Sequence, residues 1–160
     1  MTRSGSDLAL LLLGGFRVLA ERGTEELAAR GFADVRPSHD FALRSIASGA
    51  ENASELARRM SVSKQAAAKT ITALEERGYI ERTNDAADRR RMRLQVTERG
   101  VALMGEGEHV FDGLRAQWEK QIGVRQVRNI EKSLRNLVGS RGIRFEATDG
   151  AASELFNEEG

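Results

Sequence analysis

The sequence contains no cysteine. Disulfides, zinc ribbons and thiol redox sensing are therefore excluded, and the composition suits a reducing cytoplasm. Proline occurs once, aromatic residues make up 5 % of the chain, and there are two histidines. A single proline and few aromatics, with long stretches of 3.6-residue periodicity, point to a mostly helical protein. No apolar run approaches the ~20 residues of a membrane span. Arg3 ahead of Leu8–Leu13, with Val18-Leu19-Ala20 after it, has the outline of an export leader. The run is short for that purpose and Arg17 interrupts it, so the expectation is a cytoplasmic protein without membrane contact. Enzyme signatures are missing too. There is no glycine-rich phosphate loop after a strand, no H-E-x-x-H and no nucleophile elbow. His39 and His109 stand in no recognisable constellation, so no catalytic residue, metal site or cofactor is expected.

What is present is unevenly distributed charge. At 160 residues the chain is about one domain, and its net charge of +1 names no partner. From Asn52 to Gly100, however, eleven Lys/Arg stand against seven Asp/Glu, and from Glu146 to Gly160 five acids meet no base. A basic middle is balanced by an acidic tail.

Leu8, Leu11, Leu12, Leu19 and Leu27 predict a first helix, with Gly14-Gly15 as a place to bend. Pro37 then Ser38 reads as a stop followed by an N-cap, opening a helix through Phe41, Leu43 and Ile46 to Gly49. Asn52 caps a short helix carrying Leu56, Ala57 and Met60, with Glu55 at its third position. Another helix starts after Ser63 and runs through Ala67, Ile71 and Leu74 to Gly78. Tyr79–Thr83 and Met92–Val96 read as strands of a hairpin whose loop, 84–90, is basic at its tip. Thr97 caps a helix with Met104, Phe111 and Trp118 every seven residues. Val127, Ile130, Leu134, Leu137 and Val138 mark the last helix. The Gly-rich segment 140–160 is an acidic tail, flexible or with a short helix near Leu155 and Phe156.

Two short helices joined by Ser61-Val62-Ser63 suit a steep crossing, the pattern of a helix-turn-helix, although Ser61 stands where such turns favour glycine. Two ordinary core helices would fit this stretch alone. The outward face of the second helix favours the first reading. Ser63, Lys64, Gln65, Ala66, Lys69 and Thr70 are small or polar, and none is acidic. A helix N-terminus at Ser63 and Lys64 offers N–H groups to a phosphate. Gln65 can bond an adenine edge and Ala66 can touch a thymine methyl. The hairpin then places Arg89, Arg90, Arg91 and Arg93 within five positions. Arginine suits the narrow, negative minor groove, and Asp88 is placed to hold Arg90 by a charge-assisted bond. Alone, such a loop also suits a solvated hairpin tip.

In this order the residues resemble the MarR family of bacterial transcriptional regulators. The likeness lies in Ser54-Glu55-Leu56-Ala57-Arg58-Arg59-Met60, Val62-Ser63-Lys64, Leu74 to Arg82, Asp88-Arg89-Arg90 and Leu94 to Gly100. It implies a mainly α winged helix-turn-helix over about 38–100, with dimerisation helices over about 6–34 and 101–139. It further implies a homodimer on a palindromic operator in double-stranded DNA, acting as a repressor. Arg90 would be the minor-groove arginine, Asp88 its buttress, and Lys64 to Lys69 the reading face. Arg89 and Arg91 flank Arg90 and are expected to act mainly through phosphates. Gln65-Ala66-Ala67-Ala68 replaces a hydroxyl-rich stretch common in the family, which leaves the bases read open. Members of the family often release DNA when a small aromatic or phenolic acid enters a cleft beside the DNA-binding part. Phe16, His39, Arg44 and Phe111 are the candidates to line one. The alternative is a winged-helix module that binds protein or structured RNA, which would favour an apolar or acidic helix face.

Overall fold

The computed structural model describes residues 4–139, so the acidic tail and its expected helix near Leu155 and Phe156 lie outside the described residues. Among the described residues the order is α1 (Gly5–Ala29), α2 (Pro37–Ala47), α3 (Ala53–Met60), α4 (Lys64–Glu76), β1 (Ile80–Asn84), β2 (Met92–Val96), α5 (Glu98–Ile122) and α6 (Val124–Val138). The two strands pair antiparallel, Ile80 opposite Val96 and Asn84 opposite Met92. α1 is continuous across Gly14-Gly15. None of these helices is long and apolar enough to cross a membrane.

Helix starts follow the local chemistry. Asn52 accepts from the Glu55 amide at 3.0 Å, Ser63 from Ala66 at 3.1 Å and Thr97 from Gly100 at 3.1 Å. Each satisfies one of the free N–H groups of a first turn, a contribution of ~1 kcal/mol. The expected cap at Ser38 is wrong. The cap is Arg36, and Pro37 opens α2. Proline has the fixed φ of a first helical residue and no N–H to leave unsatisfied, so it starts this helix rather than ending the segment before it. His39 completes the turn, its Nδ1 accepting from the Arg36 amide at 3.2 Å.

The core joins α2, α3, α4, the hairpin base and α5 through Leu43, Leu56, Ile71, Leu74, Tyr79 and Leu103, all nearly inaccessible. Burial of such side chains stabilises by roughly 1.5–3 kcal/mol each. Ser61, which ends α3, lies in the left-handed region at φ 55°, so the helix-turn-helix corner is made without its usual glycine. Gly100 cannot be replaced so readily: a Cβ there would lie 2.2 Å from the Tyr79 carbonyl oxygen. This contact seats α5 directly behind the hairpin.

The seven-residue stripe of α5 meets the core only at Met104, which is partly buried against it. The residues that α5 buries are Gly100, Leu103, Gly107, Val110 and Leu114, while Phe111 and Trp118 are exposed. The glycines let the helix backbone approach its neighbours along that line, which turns the bulkier stripe aside. Apolar surface is also open at both ends of the chain order. Leu10, Leu11 and Leu137 are 65 %, 72 % and 67 % exposed. Val127 is the one residue of α6 that is buried.

Candidate nucleic-acid interface and an adjoining cavity

α4 packs inward through Ala67, Ile71 and Leu74, a three-to-four-residue spacing that fixes which side looks out. Ser63, Lys64, Gln65, Ala66 and Lys69 are exposed, and Thr70 is half-buried. The acids at the far end do not intrude. Glu75 is held by Arg82 of β1 through bonds of 2.7 and 3.3 Å. The Ser63 hydroxyl is engaged in capping, and the Thr70 hydroxyl donates to the Ala66 carbonyl at 3.1 Å. Lys64, Gln65 and Lys69 are thus the long side chains that this face presents.

The hairpin divides its arginines between two tasks. Arg91 and Arg93 each reach Glu51 at 3.2 Å, and Arg93 also meets the buried Asp85 at 2.7 Å. Asp85 accepts from the Ala87 amide at 2.8 Å, and this bond, with Arg93 and Arg91 beside it, holds its carboxyl below the usual range. The Leu94 amide donates to the Glu51 carbonyl at 3.2 Å, and the Asp85 amide to the Arg91 carbonyl at 2.8 Å. These contacts fasten the loop to the segment before α3. Arg89 and Arg90 remain exposed at the tip, with no ion pair of their own among the described residues.

Asp88 does not hold the Arg90 guanidinium, as its position in the sequence suggested. Its Oδ1 accepts from the Arg90 backbone amide at 3.0 Å, and its carbonyl accepts from the Arg91 amide at 2.9 Å. Aspartate commonly bonds the backbone two residues on, forming a turn of its own. Asp88 therefore aims Arg90 through the main chain. Glu51 and Asp85 were missed as wing anchors. No short-range spacing links Glu51 to Arg91, since the fold alone brings them together.

Three of the four residues expected to line a cleft do so together. Phe16, Leu19, Phe41 and Phe111 wall a cavity of about 350 Å³ between α1, α2 and α5. Arg44 and Asp40 lie at its side as a nearly buried pair, Nε to Oδ2 2.8 Å, and Arg44 also donates to the Met104 carbonyl at 3.3 Å. Glu108 and Asp112 complete the lining from α5. A Cβ on Gly23 would lie 2.9 Å from the Phe111 ring, so the small residue lets the ring lie against α1. His39 is not part of this cavity. It lines a separate one of about 490 Å³ with Arg36, Lys69, Thr70 and Arg77. Burial, then Arg77 and Arg36, lowers its pKa below the usual histidine value. On α2, Asp40 and Arg44 are one turn apart and share a face, whereas His39 points elsewhere.

A helix-turn-helix followed by a hairpin, flanked by long helices, is a winged helix-turn-helix. The model of the MarR family matches residues 42–92, from α2 to the start of β2. The resemblance read in the sequence to this family of regulators therefore holds. Solved structures agree in fold. A MarR-family transcriptional regulator from Rhodococcus sp. RHA1 superposes with a TM-score of 0.67 at 21 % identity, covering 87 % of this chain and 97 % of that one. CouR from Rhodococcus jostii RHA1, bound to p-coumaroyl-CoA, gives 0.66 at 21 % identity, with coverages of 90 % and 100 %. FabT from Streptococcus pneumoniae, in complex with DNA, gives 0.67 at 19 % identity, with coverages of 84 % and 94 %.

Proposed function

We propose that the protein is a sequence-specific regulator that binds a palindromic operator in double-stranded DNA as a homodimer and represses adjacent transcription. The observation that carries this reading is the pairing of two surfaces. The outward side of α4 is acid-free from Ser63 to Thr70, and the hairpin beyond it extends Arg89 and Arg90, which have no ion-pair partner among the described residues. A helix in the major groove with a wing arginine in the adjacent minor groove uses both. Gln65 is assigned to a base edge, Lys64 and Lys69 to phosphates, and Arg90 to the minor groove. Arg91 contributes mainly by anchoring the wing. A fold relative, FabT, is bound to DNA, which supports the same use here. A protein-binding module would not need a basic, acid-free helix face, and a binder of structured RNA would read shape and single-stranded bases rather than a duplex major groove.

The exposed leucines of α1 and the apolar side of α6 are assigned to the dimer, and the cavity beside α2 to a small-molecule effector that releases DNA. CouR binds a small molecule, which supports that use of the fold. The test of the main reading is footprinting on the DNA flanking the protein's own gene. A protected palindrome with half-site centres about one helical turn apart is expected. Protection of no discrete site, with equal affinity for random duplex, contradicts it.

A further inference from the structure

The cavity between α1, α2 and α5 has a charge pattern at odds with the aromatic acids that the family resemblance implies. Among the described residues its lining contains one cation, Arg44, against three carboxylates, Asp40, Glu108 and Asp112. Arg44 is already engaged: its guanidinium is paired with Asp40 at 2.8 Å and donates to the Met104 carbonyl, and its side chain is 11 % exposed. A carboxylate ligand would have to compete with Asp40 for that group. It would do so in front of two further acids. Glu108 and Asp112 stand one turn apart on the same side of α5, and neither has an ion-pair partner among the described residues. Asp40 itself is nearly buried, and its Oδ1 has no hydrogen-bond partner there, lying against α5 at Gly107. The rest of the wall is apolar, with the rings of Phe16, Phe41 and Phe111.

We propose that this cavity takes a lipophilic cation, such as an aromatic amine or a quaternary ammonium or phosphonium compound, and discriminates against anions of the same shape. The aromatic rings attract a cation through their negative faces, and the apolar walls accept its organic groups. Glu108 and Asp112 supply the opposite charge without first breaking an ion pair. An anion meets the same walls with the electrostatic contribution reversed, which is discrimination by repulsion as well as by attraction. The cavity volume of about 350 Å³ is that of a site for a compact organic molecule. The inference rests on the reading of this cavity as the effector site.

The test is isothermal titration calorimetry on the full chain without DNA, using tetraphenylphosphonium and tetraphenylborate, a cation and an anion of one shape. The cation is expected to bind at least about tenfold more tightly than the anion. The double variant Glu108→Gln, Asp112→Asn is expected to lose about tenfold in affinity for the cation, a change of ~1.4 kcal/mol. Neither side chain is buried in the core, Glu108 being half-buried and Asp112 exposed, and a melting curve near that of the wild type will show that the variant is folded. The proposal is overturned if the borate binds as tightly or more tightly, if neither ion binds, or if the double variant holds the cation as the wild type does. A parallel DNA-release assay separates the two readings. A cation that binds with the expected preference but leaves the DNA complex intact upholds the cavity's selectivity and removes its role as an effector site.

Discussion

Asp88 illustrates how little of a side chain's task is settled by its neighbours in sequence. An acid two positions before an arginine suggests an ion pair, yet its Oδ1 bonds the Arg90 main chain at 3.0 Å. The two roles make different demands. Asparagine keeps the acceptor and removes the charge, so Asp88→Asn should bind operator DNA within about twofold of wild type. Asp88→Ala should weaken binding by roughly 1 kcal/mol, the net worth of such a bond. Equal losses in the two variants, measured by fluorescence anisotropy at fixed salt, would return the role to charge pairing. Ser61 offers a second residue-scale test. Its left-handed backbone at φ 55° costs ~1–2 kcal/mol for a residue with a Cβ. Glycine removes that strain and loses part of the gain to its own freedom in the unfolded chain. Ser61→Gly should raise the melting temperature by a few degrees without altering DNA affinity, and a lower melting temperature would contradict the account of the corner.

Elements show where the sequence was legible. Asn52 and Thr97 cap the helices they were expected to cap, and Ser63 caps the helix expected to start after it, because capping is a contact over three residues. The return strand 92–96 matches its expected bounds, and β1 begins one residue later than expected. Contacts between distant elements were not readable in this way. The Glu51 anchor of the wing, the glycine-lined core face of α5 and the separation of His39 from Arg44 all depend on which helix lies opposite. His39 also gives the N-terminus of α2 a pH dependence. Its folded pKa is lowered, so above the unfolded value of about 6.5 both states are neutral and the group contributes nothing. As the pH falls below that value the unfolded chain takes up the proton first, and stability declines towards the lowered folded pKa. Asp85 and Glu131 also have lowered pKa values, so their contributions are lost only in more acid solution, as the pH falls through them. Thermal melts between about pH 7 and pH 5 should therefore fall more steeply for wild type than for His39→Gln, which retains an acceptor but does not titrate. Parallel curves would show that His39 carries no such penalty.

At the scale of the whole molecule, α1 and α6 leave more apolar surface open than a single winged domain covers. The proposed dimer would bury it, on the order of 2,000 Å² or more for an obligate interface. Sedimentation equilibrium at micromolar concentration should find a dimer alone, and a stable folded monomer there would remove the proposed arrangement. In the proposed complex the molecule grips DNA with α4 in one groove and the wing in the next. The most direct test of this grip is an anisotropy titration of one operator duplex, at one salt concentration, with wild type, Arg90→Lys and Arg90→Ala. Alanine should weaken binding by at least about tenfold, ~1.4 kcal/mol, with the dimer and its melting temperature nearly unchanged. Lysine should recover only part of the loss, because its ammonium keeps the charge but fits the narrow minor groove less well. Wild-type affinity in Arg90→Ala would show that the wing does not hold the DNA, and would make the arginine cluster a solvated hairpin tip.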